Sequence, residues 1–287
     1  MNRAIRATGR FANLVRVGLI AGIVVAAVAF PLAALGGIAV QTGVNSFEDL
    51  PHDPRITPAA QTSYVYAADG RTLLTTFYEE HRKYLPLSAT SPWIQEAVIA
   101  AEDGRFFEHK GVDIRGIARA FVANQRSGEV AQGASTLTMQ YVRAALRDSA
   151  QTPQEAIAAT EQTSARKIRE MRLAVEIERR MTKAQILEAY LNVAYFGHRA
   201  YGIYAGAEVF FSKKASQLNL LEAATLAGLV KAPSAYDPAS TDKRAATERR
   251  NYVIDRMTDL GYISPQTADV AKRTPIKLRL TNPPNDC

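Results

Sequence analysis

Ser91–Asp113 reads SPWIQEAVIAAEDGRFFEHKGVD, and its two parts differ in kind. The first is a helix. Ser91 suits an N-cap, Pro92 suits the first helical position, where no N–H is needed, and Ile94, Ala97, Val98 and Ala101 recur at helical spacing. The second part, Glu102–Asp113, mixes carboxylates, an imidazole, two aromatics and two glycines without helical or strand periodicity. Glu102 and Asp103 fall where the apolar helix stops. A carboxylate there faces the negative end of the helix dipole beside poorly solvating side chains, a setting suited to proton transfer. Read alone, an acidic pair at a helix end is most often a solvated turn, so its meaning depends on the rest of the chain.

Beyond Asp113 the chain is mostly helical in pattern. Ile114, Ile117, Ala118, Phe121 and Val122 share one helical face, as do Ile168, Met171, Ala174 and Val175. Thr182 with Gln185, and Asn219 with Glu222, are capping boxes for helices carrying Ile186 to Leu191 and Leu220 to Lys231. Two more helices fit Thr241 to Leu260, stopped by Gly261, and Pro265 to Arg273, capped by Ser264. Before Ser91, the β-prone runs Ser63–Tyr66 and Thr72–Tyr78 flank Asp69-Gly70 and predict a hairpin. Arg147 to Thr163, with weak apolar patterning, reads as an inserted helical loop where chemistry is not expected.

The chain has 287 residues, is 47% hydrophobic and carries a net charge of +7. That is enough apolar material for a real core. Arg3, Arg6, Arg10 and Arg16 supply four of those charges before the first acidic residue, Glu48, so the remainder is only mildly basic and nucleic-acid binding is not favoured. Residues 17–40 are an uncharged apolar run, interrupted by Pro31, long enough to span a bilayer as a helix. The arginines place its N-terminal side in the cytoplasm and the bulk of the chain outside, at the plasma (inner) membrane. A cleavable signal peptide ending near Ala27-Val28-Ala29 is the competing reading, and an uncleaved anchor is preferred because the run continues past that site. The organisation read from sequence is a basic tail (1–16), an anchor (17–40), a linker with the hairpin (41–84), a mainly α globular domain (85–274) and a tail or linker start (275–287). Cys287 is the only cysteine, which excludes an intramolecular disulfide within this sequence and a cysteine metal site.

Two further clusters have chemical character. In GASTLTMQYVR, Gly133 to Arg143, hydroxyls precede an amide and a cation, and a helix starting at Ser135 or Thr136 would turn its free N–H groups toward an anion. In RKIREMR, Arg166 to Arg172, a single carboxylate, Glu170, is embedded among cations. Such a run is ordinarily a solvated helix face; near a membrane it also suits a pyrophosphate. His52, His81, His109 and His198 have no metal-ligand spacing, and no P-loop, dinucleotide-binding glycine motif or Gly-x-Ser-x-Gly elbow occurs.

The order of these clusters is more specific than any one of them. The sequence resembles the family 51 glycosyltransferases, the peptidoglycan glycosyltransferase domain of class A penicillin-binding proteins and monofunctional transglycosylases. Glu102, Asp103, Phe106, His109 and Gly111 match its ED-x-x-F-x-x-H-x-G motif. Gly133, Ser135, Thr136, Thr138 and Gln140 match G-x-S-T-x-T-x-Q, and Arg166, Lys167 and Glu170 match R-K-x-x-E. Lys183, Ile186, Leu187, Tyr190 and Asn192 fit a fourth motif, and Arg249, Val253 and Met257 resemble a fifth. Tyr141 stands where a second glutamine is common, and Arg143 where lysine is usual. The insertion before Arg166 lengthens the gap between the second and third motifs.

The resemblance implies a mainly α, lysozyme-like domain with a small membrane-associated lobe. It implies polymerisation of lipid II into β-1,4 glycan strands, with release of undecaprenyl diphosphate and inversion at the anomeric carbon. Glu102 is then the general base and Glu170 the second catalytic carboxylate, orienting cations beside the donor. Asp103, Phe106, His109, Ser135, Thr136, Thr138, Gln140, Arg143, Arg166, Lys167, Arg169 and Asn192 form the substrate-binding set. A divalent metal, Mg2+ or Mn2+, is compatible with this chemistry, and no organic cofactor is implied. The implied partners are lipid II, the growing glycan strand, the membrane and a transpeptidase. A lysozyme-like lytic enzyme and a catalytically inactive anchored scaffold are the competing readings.

Overall fold

Ser91, Thr182, Asn219 and Ser264 each cap the helix that the sequence assigns to them. The computed structural model describes residues 56–127 and 135–285. The basic tail and the apolar run at 17–40 lie outside the described residues, as does Cys287. Among the described residues no helix is long and apolar enough to cross a membrane.

Strands β1 (Ser63–Tyr66) and β2 (Leu73–Phe77) form the antiparallel hairpin, with Gly70 in the left-handed region at φ +64°. Asp69 stabilises the turn by accepting from the Arg71 and Thr72 N–H groups, each at 2.9 Å. Among the described residues ten α-helices follow: α1 (Pro92–Glu102), α2 (Ile114–Ser127), α3 (Leu137–Asp148), α4 (Pro153–Thr160), α5 (Ser164–Arg180), α6 (Lys183–Val193), α7 (Gly202–Phe211), α8 (Leu220–Leu229), α9 (Arg244–Asp259) and α10 (Pro265–Arg273). Both predicted capping boxes are present, at Thr182/Gln185 and Asn219/Glu222. Helix α8 ends two residues before the predicted Lys231. Helix α9 starts at Arg244 rather than Thr241, because the Asp242 carboxylate takes the Arg244 N–H in a turn first.

The core is centred on α8, buried at every residue from Ala223 to Leu229. Helix α1 packs on α8 and α9 through Ile94, Ala97 and Val98, and α3 packs against α4, α5 and α6. This leaves the end of α1 beside the middle of α3 and the start of α9. The tail is not loose over 279–285. Arg279 and Thr281 donate to the Phe210 and Val209 carbonyls at 2.9 Å, and Asn285 exchanges two hydrogen bonds with the Tyr78 backbone.

Candidate active site

Helix α1 stops at Glu102, and Asp103 leaves the helical region with its own N–H bonded to the Ile99 carbonyl. The Asp103 side chain is buried and accepts from the Leu137 N–H at the start of α3 (2.9 Å) and from His109 Nε2 (3.0 Å). The anion predicted for that helix N-terminus is therefore supplied by the protein itself. Thr136 caps α3 through the Met139 N–H and donates its hydroxyl proton to the Gly111 carbonyl at 2.6 Å. Gly111 has φ +90°, and a Cβ there would lie 2.6 Å from the Ala174 carbonyl oxygen, so only glycine lets this loop close against α5. Asp113 accepts from the Gly116 N–H and pairs with Arg105, which makes it a cap for α2.

With the loop fixed, Glu102 is held from two sides. One oxygen accepts from Gln140 Nε2 at 2.9 Å and the other from an Arg249 terminal nitrogen at 3.1 Å. The surrounding is therefore not merely the apolar helix end anticipated from sequence: a cation faces the carboxylate. Arg249 is almost fully buried, stacks 4.7 Å from the Tyr252 ring centre and donates to the Gly228 carbonyl at 3.3 Å. Its place on the apolar stripe of α9, four and eight residues before Val253 and Met257, is the sequence signal for a buried charge needing a partner. Tyr190 donates to the Gln140 side-chain oxygen at 3.2 Å. Burial raises the Tyr190 phenol well above its usual range, and the Glu102 charge adds to this.

Gln140, Arg143, Ala144 and Arg147 are spaced three and four apart, so α3 presents them on one face. All four line a cavity of about 120 Å3 that also touches Tyr190 and Thr160. A second cavity, about 370 Å3, shares Arg143 and Thr160 with the first and is completed by Gln162, Thr163, Ser164, Arg166 and Lys167. At its edge Glu170, 1% exposed, receives Arg143 through both carboxylate oxygens (2.7 and 3.1 Å) and is also paired with Arg166. The bidentate fork explains why arginine serves at 143. Among the described residues no carboxylate pairs with Lys167. The cleft is thus a carboxylate at one end and a net-positive cavity at the other, joined by one face of α3.

Several predicted substrate residues are turned inward. Thr138 is fully buried and donates to Glu178 at 2.6 Å, which also holds Lys183. Phe106 is buried in the core with Lys183 4.5 Å from its ring centre. The Asn192 amide ties the Leu85 backbone, donating to its carbonyl and accepting its N–H at 2.8 Å each. Arg169 is exposed and outside both cavity walls, and Ser135 is part-buried at the entry to α3. Tyr141 faces the core at 8% exposure, which accounts for a tyrosine where a polar amide is common. The insertion is not remote from the chemistry: its helix α4 ends at Thr160 in the wall of both cavities. Among the described residues no group of three or more His, Cys, Asp or Glu side chains is arranged to hold a metal. Glu102, Asp103 and Glu170 are each engaged by donors from the protein itself.

The matches to known proteins fall on this geometry. The family described as Transglycosylase matches residues 69–258, a span that contains the loop after α1, all of α3 and the Arg249 turn of α9. The chain belongs to the transglycosylase family. It is 44% identical over 205 residues to penicillin-binding protein 1A of Escherichia coli K12, covering 71% of this chain and 23% of that protein. It is 38% identical over 254 residues to penicillin-binding protein 1A of Neisseria lactamica, covering 88% of this chain and 29% of that protein. The chain thus spans about a quarter of the length of the curated relatives it matches. Among solved structures, penicillin-binding protein 1A from Haemophilus influenzae aligns with a TM-score of 0.42 at 24% identity, covering 79% of this chain and 22% of that one. As a transglycosylase the chain carries glycosyl-transfer chemistry, and the cleft between Glu102 and Glu170 lies within the matched span.

Proposed function

We propose that this transglycosylase polymerises lipid II into β-1,4 glycan strands and releases undecaprenyl diphosphate. The observation that carries the reading is the division of the cleft into one oriented carboxylate and one cationic cavity. Glu102 takes the proton from the acceptor sugar hydroxyl as that oxygen attacks the anomeric carbon of the donor. A carboxylate has about four acceptor positions; Gln140 and Arg249 engage two and fix its direction. The C–O bond to the diphosphate breaks as the new glycosidic bond forms, and the departing charge falls among Arg143, Arg166 and Lys167, which neutralise it without a proton donor. Direct displacement inverts the anomeric centre.

Glu170 supports transfer over hydrolysis. A lytic enzyme needs an acid to protonate a sugar leaving group, whereas Glu170 is buried and gripped by two guanidiniums, leaving it to order cations. The joint presence of Glu102, Ser135, Gln140 and Glu170 likewise favours an active enzyme over an inert scaffold. In this reading the domain is lysozyme-like with a membrane-associated lobe, the 17–40 run anchors it, and catalysis takes place outside the cytoplasm at the inner membrane. The glycan strand and a transpeptidase are its partners.

Purified protein in detergent is expected to convert labelled lipid II into polymer, with moenomycin blocking the reaction. Glu102→Gln should lower the rate at least about a hundredfold, the lower range for general base catalysis, with circular dichroism unchanged. Polymer formation by Glu102→Gln at near the parent rate would remove Glu102 as the base, and no polymer from the parent protein would remove the substrate assignment.

A further inference from the structure

The inserted segment before motif-three Arg166 is a built part of the cleft. Thr152 caps α4 through the Glu155 N–H, and Glu155 returns a bond to the Gln151 N–H at 2.7 Å. Ala159 is buried, and the Arg166 guanidinium joins the Glu161 carbonyl to the Glu170 carboxylate, so the end of the insertion is tied to the cation cluster. Thr160 and Gln162 therefore hold defined places in the cavity wall.

Their chemistry differs from that of the cations beside them. The Thr160 hydroxyl gives its proton to the Ala156 carbonyl at 3.0 Å, so toward the cavity it acts as an acceptor. A phosphate oxygen has no proton to offer it, whereas a sugar hydroxyl or an N-acyl N–H does. The Gln162 carboxamide makes no hydrogen bond among the described residues and offers both a donor and an acceptor. Thr160 also borders the smaller cavity that leads past Gln140 and Tyr190 toward Glu102. A sugar bonded to a diphosphate seated on Lys167 and Arg143 has to occupy this passage, because its anomeric carbon must lie between the leaving group and the base.

We propose that the insertion is a specificity wall: Thr160 and Gln162 bind the sugar attached to the donor diphosphate, while Arg143 and Lys167 bind the diphosphate itself. This rests on the glycosyltransferase reading and adds the residues that recognise the sugar. Both side chains are exposed, so substituting them leaves the core untouched.

The test measures equilibrium binding of the full chain in detergent to two probes, undecaprenyl diphosphate and the same lipid carrying one N-acyl sugar. Thr160→Val with Gln162→Ala should weaken binding of the sugar-bearing probe about three- to tenfold, as expected for one or two lost hydrogen bonds, and leave the bare diphosphate unchanged. Thr160→Ser, which keeps the hydroxyl, should restore the Thr160 share of that loss. Equal effects on both probes, or no effect on either, overturn the wall. Lys167→Ala is the separate control: it should weaken both probes, and if it weakens neither, the cationic donor site fails independently of the wall.

Discussion

Tyr190 and Gln140 meet through a 3.2 Å hydrogen bond, and that bond decides which end of the Gln140 amide faces Glu102. A carboxylate only accepts, so Gln140 presents its NH2 to Glu102 and its oxygen to Tyr190, which donates. The buried phenol thus acts on Glu102 at one remove, as a positioning residue.

Tyr190→Phe is expected to remove that constraint while keeping the packing volume. Losing one buried hydrogen bond that leaves an acceptor unsatisfied costs about 1–3 kcal/mol, and polymerisation should slow about three- to tenfold as the Gln140 amide gains freedom. Initial rates across pH separate positioning from packing, since the profile should change shape. A profile and rate matching the parent would show that the bond has no part in placing Glu102.

The same phenol makes an alkaline prediction. Its folded-state pKa lies well above the unfolded value, chiefly through burial, so its stabilising contribution is complete below about pH 10 and declines as pH rises beyond it. Urea denaturation from pH 8 to 11 should show the parent losing stability above pH 10 more steeply than Tyr190→Phe. Parallel curves would mean that Tyr190 ionises as readily in the folded protein as in the unfolded chain.

Glu170→Ala leaves Arg143 and Arg166 facing each other without their shared anion. Removing one partner of a buried pair costs about 3–5 kcal/mol, although the partial exposure of Arg143 favours the lower part of that range. Glu170→Gln, a gentler change, should fold and raise KM for lipid II more than it lowers kcat, because the cations lose their alignment for the diphosphate. An unchanged KM in the folded Gln variant would refute an orienting role.

Gly111→Ala tests the loop that delivers Glu102. With φ at +90° and backbone of α5 at 2.6 Å, the added methyl group forces the loop off α5 and strains the Thr136 contact. The cost should exceed about 1 kcal/mol, seen as a lower Tm, with activity falling further than stability alone requires. A variant with the parent Tm would show that the loop tolerates a different closure.

The helices were legible because their signals are local. Ser91 before Pro92, Thr182 with Gln185 and Asn219 with Glu222 lie within a turn of the ends they cap, and the apolar stripes repeat within each helix. The candidate base was also legible, through the break in pattern at Glu102 and the order of the matched motifs. The motif hydroxyls were less so. Ser and Thr satisfy substrate or backbone equally well, and only the approach of α3 to the loop and to Glu178 commits Thr136 and Thr138 to the protein. The role of the insertion was hidden for a related reason: weak apolar patterning reveals little burial, yet one end of α4 is fixed against the cleft by Arg166.

Sequence alone thus determined the α-rich architecture, the hairpin and the motif order, and singled out Glu102 as the candidate base, because periodicity, capping and spacing act over a few residues. Tertiary structure decided what faces Glu102. Arg249 reaches it from 147 positions along the chain, Gln140 is turned by Tyr190 from another helix, and Thr160 enters the wall from an insertion. Those choices follow from burial, which forces a distant charge or amide to find its partner once the helices pack.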